Sequence, residues 1–342
     1  MKLISLPVIG AAAGLGAIGA LIAYFGAGAV ARSLLAIGWD GFAAICLIHL
    51  GLIAVMGLAW RALVPGTSAW IFVWGRLMRD AGSEVLPLSQ MGGSILGARA
   101  VSLCAVTGVI AMASTIADLT LEFFAKIAYT MLGLVLLVDL RPDLQVAIPI
   151  TIGVTVAGVV ALAFVLVQRH GFDLFDRFAR ALGRGWADRT AAGVASVHTA
   201  LAQVYERKGG LFSGFLLHLA CWVASALEVW IALRLTGTPL AFSAVIVIES
   251  LLYAIRTVAF AIPNAVGVQE GAYIVLGAAF GLTPEMALAL SLLKRARDLA
   301  IGLPALGVWQ AVEGGRLWRR LTPRSVAFPI PRSAGTGRKD RG

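Results

Sequence analysis

Residues 241–262 read AFSAVIVIESLLYAIRTVAFAI, and residues 263–271 continue as PNAVGVQEG. The first stretch is long and apolar enough to enter a bilayer, which takes about 20 apolar residues. It nevertheless carries Glu249 and Arg256, seven positions apart and therefore on one helix face. The second stretch stops the helix. Pro263 removes a backbone donor, and Gly267 and Gly271 permit a non-helical chain. An apolar helix broken beside charge predicts a membrane protein with an internal polar site.

The same pattern occurs once earlier. Residues 86–93 read LPLSQMGG, with Pro87, Gly92 and Gly93, and run on to Arg99. Non-helical backbone at membrane depth persists only where protein or a water-filled cavity surrounds it. Paired Gly/Pro-broken segments in two halves of a chain point to a transport site. Apolar sequence flanks both breaks, so both are expected to be re-entrant rather than surface loops.

Working outward, candidate spans fall at about 7–30, 41–60, 98–117, 120–138, 145–168, 211–233, 241–262 and 286–312. The chain has 342 residues, 59% apolar and only 13% charged, well below the quarter or so usual in soluble domains. The predicted fold is therefore all-α: a polytopic membrane bundle of about 7–9 spans with two re-entrant segments. The first run is over-long for a signal peptide and is expected to stay as a helix. Residues 63–78 mix Trp70 and Trp74 with Arg76, which suits a membrane interface.

The charge is localised. Residues 169–208 hold seven Lys/Arg against four Asp/Glu, and residues 316–342 hold eight against one. These excesses of +3 and +7 sum to the whole net charge of +10, so the rest is neutral. That distribution follows the positive-inside rule and argues against nucleic acid as a partner. It places loop 169–208 and the tail in the cytoplasm. The expected organisation is a membrane domain over 1–314 and a basic, disordered tail over 315–342. Within the loop, Phe172, Phe175, Phe178, Ala179 and Leu182, and again Val194, Val197, Leu201, Val204 and Tyr205, repeat at helical spacing. They predict two helices lying on the cytoplasmic surface of the membrane, the alternative being a loop packed on the bundle.

Ionisable residues inside spans are costly and mark sites or ion pairs. Glu122 and Lys126 stand four apart and are expected to form a structural pair. Arg99, Glu249, Arg256, Glu270, Arg295, Arg297 and Asp298 gather near the breaks or in the C-terminal third. They are the candidate substrate-binding set. Arginine suits a phosphate or polar headgroup, with the acids positioning it. The plainer alternative is inter-helix ion pairing that fixes packing. Cys46, Cys104 and Cys221 fit no metal or redox spacing, and no histidine has a ligand partner at such spacing. No catalytic or nucleotide fingerprint is present, so no cofactor or metal is expected.

The run IPNAVGVQEGAYIVLGAAFGLTPEMALALSLLKRARDL resembles the C-terminal signature of the flippase-like transmembrane region of lysylphosphatidylglycerol synthases. Pro263, Gly267, Glu270, Gly271, Gly281 and Arg295 or Arg297 carry the likeness, and Pro87, Gly92, Gly93 and Arg99 carry it at the first break. The resemblance covers roughly residues 10–312. GRLMRDAGSEVLPLSQMGGSILGARAVSL and DLTLEFFAKIAYTMLGL look like the hopanoid-biosynthesis-associated branch. The resemblance implies a lipid-handling role without the aminoacyl-transfer enzyme, whose soluble domain this chain lacks.

The expectation is a bacterial inner-membrane protein that translocates or presents an amphiphilic lipid, a hopanoid or anionic phospholipid being the named candidates. An integral-membrane enzyme using Glu249, Glu270 and Asp298 on a headgroup is one alternative. A scaffold for lipid-biosynthesis proteins is the other. Oligomeric state, direction and energy source leave no signal in the sequence.

Overall fold

The computed structural model describes residues 28, 32, 35–85, 89–104, 106–141, 156, 158–159, 184–259 and 262–321. Most of the expected spans 7–30 and 145–168, Pro87, residues 169–183 and the tail from 322 lie outside the described residues. Every regular element described is helical. In chain order these are α1 (Gly38–Ala62), α2 (Ala69–Val85), α3 (Ser89–Ser102), α4 (Gly108–Leu140), α5 (Arg184–Glu206), α6 (Lys208–Leu235), α7 (Phe242–Val258), a 3-10 turn (Pro263–Ala265), α8 (Val268–Ala278) and α9 (Pro284–Leu321). Met1–Leu306 forms one compact unit, and Gly307–Gly342, which includes the end of α9, is a second.

Among the described residues, α1, α4 and α6 are long and apolar enough to cross a membrane. Their outward faces suit lipid: Leu47, Val135 and Phe212 are all exposed. α4 departs from the sequence reading. Two spans were expected, at 98–117 and 120–138, but one helix of 33 residues runs from Gly108 to Leu140. The physical break lies earlier, where Thr107 caps the new helix and accepts from the Ile110 N–H.

The ends of the bundle can be told apart. At one end, α1 turns into α2 and α3 turns into α4. Here α5 buries Leu201 and Val204 in a cluster with Trp60, Leu63, Val106 and Ala111. The helical face read from residues 197–205 therefore packs on the bundle. At the other end, Arg141 after α4 donates to the Ala279 carbonyl between α8 and α9. The turn from α6 into α7 also lies there, since Leu235 presses against Gly41 near the start of α1.

Two helical hairpins enter from these opposite ends. The first, α2–α3, has arms of 17 and 14 residues, and the second, α7–α8, has arms of 17 and 11. At about 1.5 Å per residue the arms are about 17–26 Å long, short of the roughly 30 Å hydrocarbon layer. Residues 63–78, expected at the interface, instead supply most of the first arm, with Phe72, Arg76 and Met78 buried. Hairpin one packs backbone to backbone. A Cβ at Gly93 would sit 2.4 Å from the Arg79 carbonyl oxygen, and one at Gly82 would sit 2.9 Å from the Gly93 Cα. Small residues at such crossings are what lets membrane helices approach closely.

Candidate functional site

The tips of the two hairpins meet. Asn264, in the turn of the second, donates from Nδ2 to the Glu84 carbonyl at the end of α2, at 2.7 Å. Arg256 Nη2, at the end of α7, donates to Glu84 Oε1 and Oε2 at 3.1 and 3.0 Å and to Asn264 Oδ1 at 3.1 Å. Asn264 and Ala265 hold left-handed backbone, with φ of 50° and 45°. Asparagine tolerates that region; alanine carries a Cβ penalty there.

Beside this junction lies a cavity of about 110 Å³, walled by parts of both hairpins and by α1, α4, α6 and α9. Its charged lining is arranged in three groups. On the first hairpin's side, Arg76 donates to Asp80 (3.0 Å) and Glu122 (2.8 Å), Arg79 donates to Glu122, and Lys126 lies 3.0 Å from Glu122. The second group is the Arg256–Glu84 junction. In the third, Arg297 of α9 donates to Glu228 of α6 and to Asp298, while His49 Nδ1 of α1 lies 2.9 Å from Glu228. Behind the first group, Asp118 joins Arg79 (2.7 Å) to His218 (2.8 Å). An unpartnered charge at this depth would cost several kcal/mol, which accounts for the dense pairing.

One wall is aromatic. Trp222 and Tyr253 meet edge to face at 4.5 Å, and Lys126 Nζ sits 4.8 Å above the Trp222 ring. The buried indole N–H of Trp222 finds no partner among the described residues.

The residues singled out from sequence divide into three sets. Arg256, Arg297 and Asp298 line the cavity. So do Glu122 and Lys126, expected as a structural pair; Glu122 is the acid that Arg76, Arg79 and Lys126 share. Glu249 lies behind the wall, bonded to Lys294 at 2.6 Å and to the Tyr273 hydroxyl. Glu270 and Arg295 face each other instead, with Arg295 Nε 2.6 Å from Glu270 Oε1. Glu270 also accepts from Ser291 (2.9 Å) and from the Gly267 N–H (2.8 Å), so it ties the start of α8 to α9. Gly267, with φ of 85°, makes the turn into α8. Gly271 sits in the first turn of that helix, and Pro263 begins the 3-10 turn. Gly92 and Gly93 lie in the first turns of α3, whereas Arg99 is exposed in its last turn, away from the tip.

Sequence reasoning passed over Arg76, Arg79, Asp80 and Glu84 as site residues. Arg76 and Asp80 stand four apart, a spacing that pairs on one helix face. Neighbouring tryptophans masked that signal by suggesting an interfacial segment. Asn264 carried none.

The sequence profile of the lysylphosphatidylglycerol synthase TM region matches residues 8–305. A search of curated proteins and a search of solved structures each returned no match. This chain belongs to the lysylphosphatidylglycerol synthase transmembrane-region family, a membrane-lipid-related family of helical membrane proteins.

Proposed function

We propose that this member of the family moves an amphiphilic lipid between the leaflets of a bacterial inner membrane. The polar head passes through the charged cavity and the apolar tail stays in lipid. The observation that supports the reading is the pair of short-armed hairpins, which enter from opposite ends and wall one polar cavity between them. Their return arms, of 14 and 11 residues, are too short to cross the hydrocarbon layer. The cavity offers arginines for a phosphate or hydroxyl-rich head, and its volume suits part of a headgroup rather than a whole lipid. Hopanoids stand among the candidate substrates, as the sequence likeness suggests. The end carrying α5 and the basic loop is assigned to the cytoplasm by its charge, and the basic tail from residue 315 is assigned there too.

The test is reconstitution into vesicles containing fluorescent phosphatidylglycerol or a labelled hopanoid. The chain is expected to speed exchange between leaflets. Arg297→Gln, which removes a charged hydrogen-bond donor from the cavity, should slow it by about tenfold or more. No exchange with any probe would count against transport. Altered lipid structures in a deletion strain, with distribution unchanged, would favour a headgroup-modifying enzyme.

A further inference from the structure

We infer that the Glu84–Arg256–Asn264 junction is a gate: the two hairpin tips close one wall of the cavity, and the junction must part for the cavity to exchange its access from one end of the bundle to the other. The inference rests on the transport reading and goes beyond it by naming the contact that moves.

Three features of the junction argue for a reversible contact. It joins two elements that enter from opposite ends, so a small separation opens a path past the tips. It is polar and economical in donors. A single nitrogen, Arg256 Nη2, serves three acceptors at 3.0–3.1 Å with two hydrogens, so at least two of these bonds share a hydrogen. Its second-hairpin side is held in left-handed backbone at Asn264 and Ala265, a conformation disfavoured for residues that carry a Cβ. Backbone strain of this kind persists at switch regions, where surrounding contacts hold it in place. Opening releases that strain as the bonds are lost, which brings the closed and open states nearer in free energy.

Each hairpin is meanwhile held firmly behind its tip. Hairpin one is fastened to α4 by Arg76 and Arg79 on Glu122 and Asp118. Hairpin two is fastened to α9 by Lys294 on Glu249 and by Arg295 on Glu270. Parting at the junction therefore leaves both sets of anchors intact. Glu84 and Arg256 also line the cavity, so a charged headgroup arriving there competes directly for the bonds that keep the tips together. Substrate and gate are coupled through shared atoms.

The gate can be tested without lipid movement. In the full chain with Cys46, Cys104 and Cys221 replaced by alanine, Ser225→Cys places a thiol in the cavity wall on α6, outside the junction. A membrane-impermeant maleimide is added to either face of sealed vesicles holding the chain in one orientation. The closed junction predicts labelling that is slow from at least one face. Arg256→Gln, which strips the shared donor, and Asn264→Ala, which removes both side-chain bonds while keeping a Cβ at the left-handed position, should each speed labelling from that face by about tenfold or more. Should Arg256→Gln fail to fold, Asn264→Ala alone decides. Rapid labelling from both faces without either substitution, or unchanged rates in folded Asn264→Ala, would overturn the gate. Junction-dependent labelling with no lipid exchange would keep the gate and sink the transport reading. Normal exchange with junction-independent labelling would do the reverse.

Discussion

The two hairpins solve one problem by different means. Each must hold a broken helix pair inside the bundle with its backbone shielded. The first closes its two arms on each other by contact, and uses charge to hold α4. A Cβ at Gly97 would sit 2.9 Å from the Gly75 carbonyl oxygen, and one at Gly93 would strike both Ser83 and Arg79. The second does it by charge. Glu270 is fully buried and gathers Arg295, Ser291 and the Gly267 N–H, while Glu249 gathers Lys294 and Tyr273. The close packing between the first hairpin's arms tolerates no added volume and carries little directional chemistry of its own. A polar staple tolerates volume but not the loss of a partner. The difference teaches where each hairpin is fragile, and it makes the first a platform and the second the side that carries the strained turn.

That contrast can be broken by exchange of substitutions. The largest effect is expected at Glu270→Ala, which leaves Arg295 without its carboxylate. Breaking a buried pair costs about 3–5 kcal/mol, and the thermal midpoint of the purified chain should fall steeply. Lys294→Met should cost a similar amount, but the double substitution with Glu249→Leu should cost clearly less, because no charge is then stranded. Equal losses in single and double variants would show that Lys294 acts by packing. In the first hairpin, Gly93→Ala should destabilise by about 1–3 kcal/mol, through overpacking against a backbone that cannot yield. Gly271→Ala makes the matching control in the second. Nothing lies within 4 Å of its new Cβ, so stability should hold or rise by about 0.5–1 kcal/mol from helix propensity. A midpoint lowered as far by Gly271→Ala as by Gly93→Ala would erase the distinction.

Much of this architecture was legible before folding. The charge-free runs at 41–60 and 211–227 reappear within α1 and α6, because only the bilayer accommodates such runs. Both breaks were legible from proline and glycine, which change the backbone whatever surrounds them. The partnerships were not. Glu228 was visible as a lone acid in an apolar helix, but His49 lies 179 positions away from it, and no local pattern links them. Arg295 and Arg297 looked equivalent as cations two positions apart. On a helix that spacing turns them to different faces, so one meets Glu270 and the other the cavity. The seam between α3 and α4 is hidden in the sequence because residues 100–117, after Arg99, carry no charge, and the cap at Thr107 is a short-range feature inside that run.

The claim on which the account turns is that both hairpin tips lie within the bilayer and meet beside a polar cavity. A density map of the full chain in a lipid nanodisc measures this directly. The account predicts Glu84, Arg256 and Asn264 in mutual contact inside the hydrocarbon layer of about 30 Å. Either tip at the headgroups or in bulk water, with Glu84 and Arg256 apart and facing outward, would contradict it.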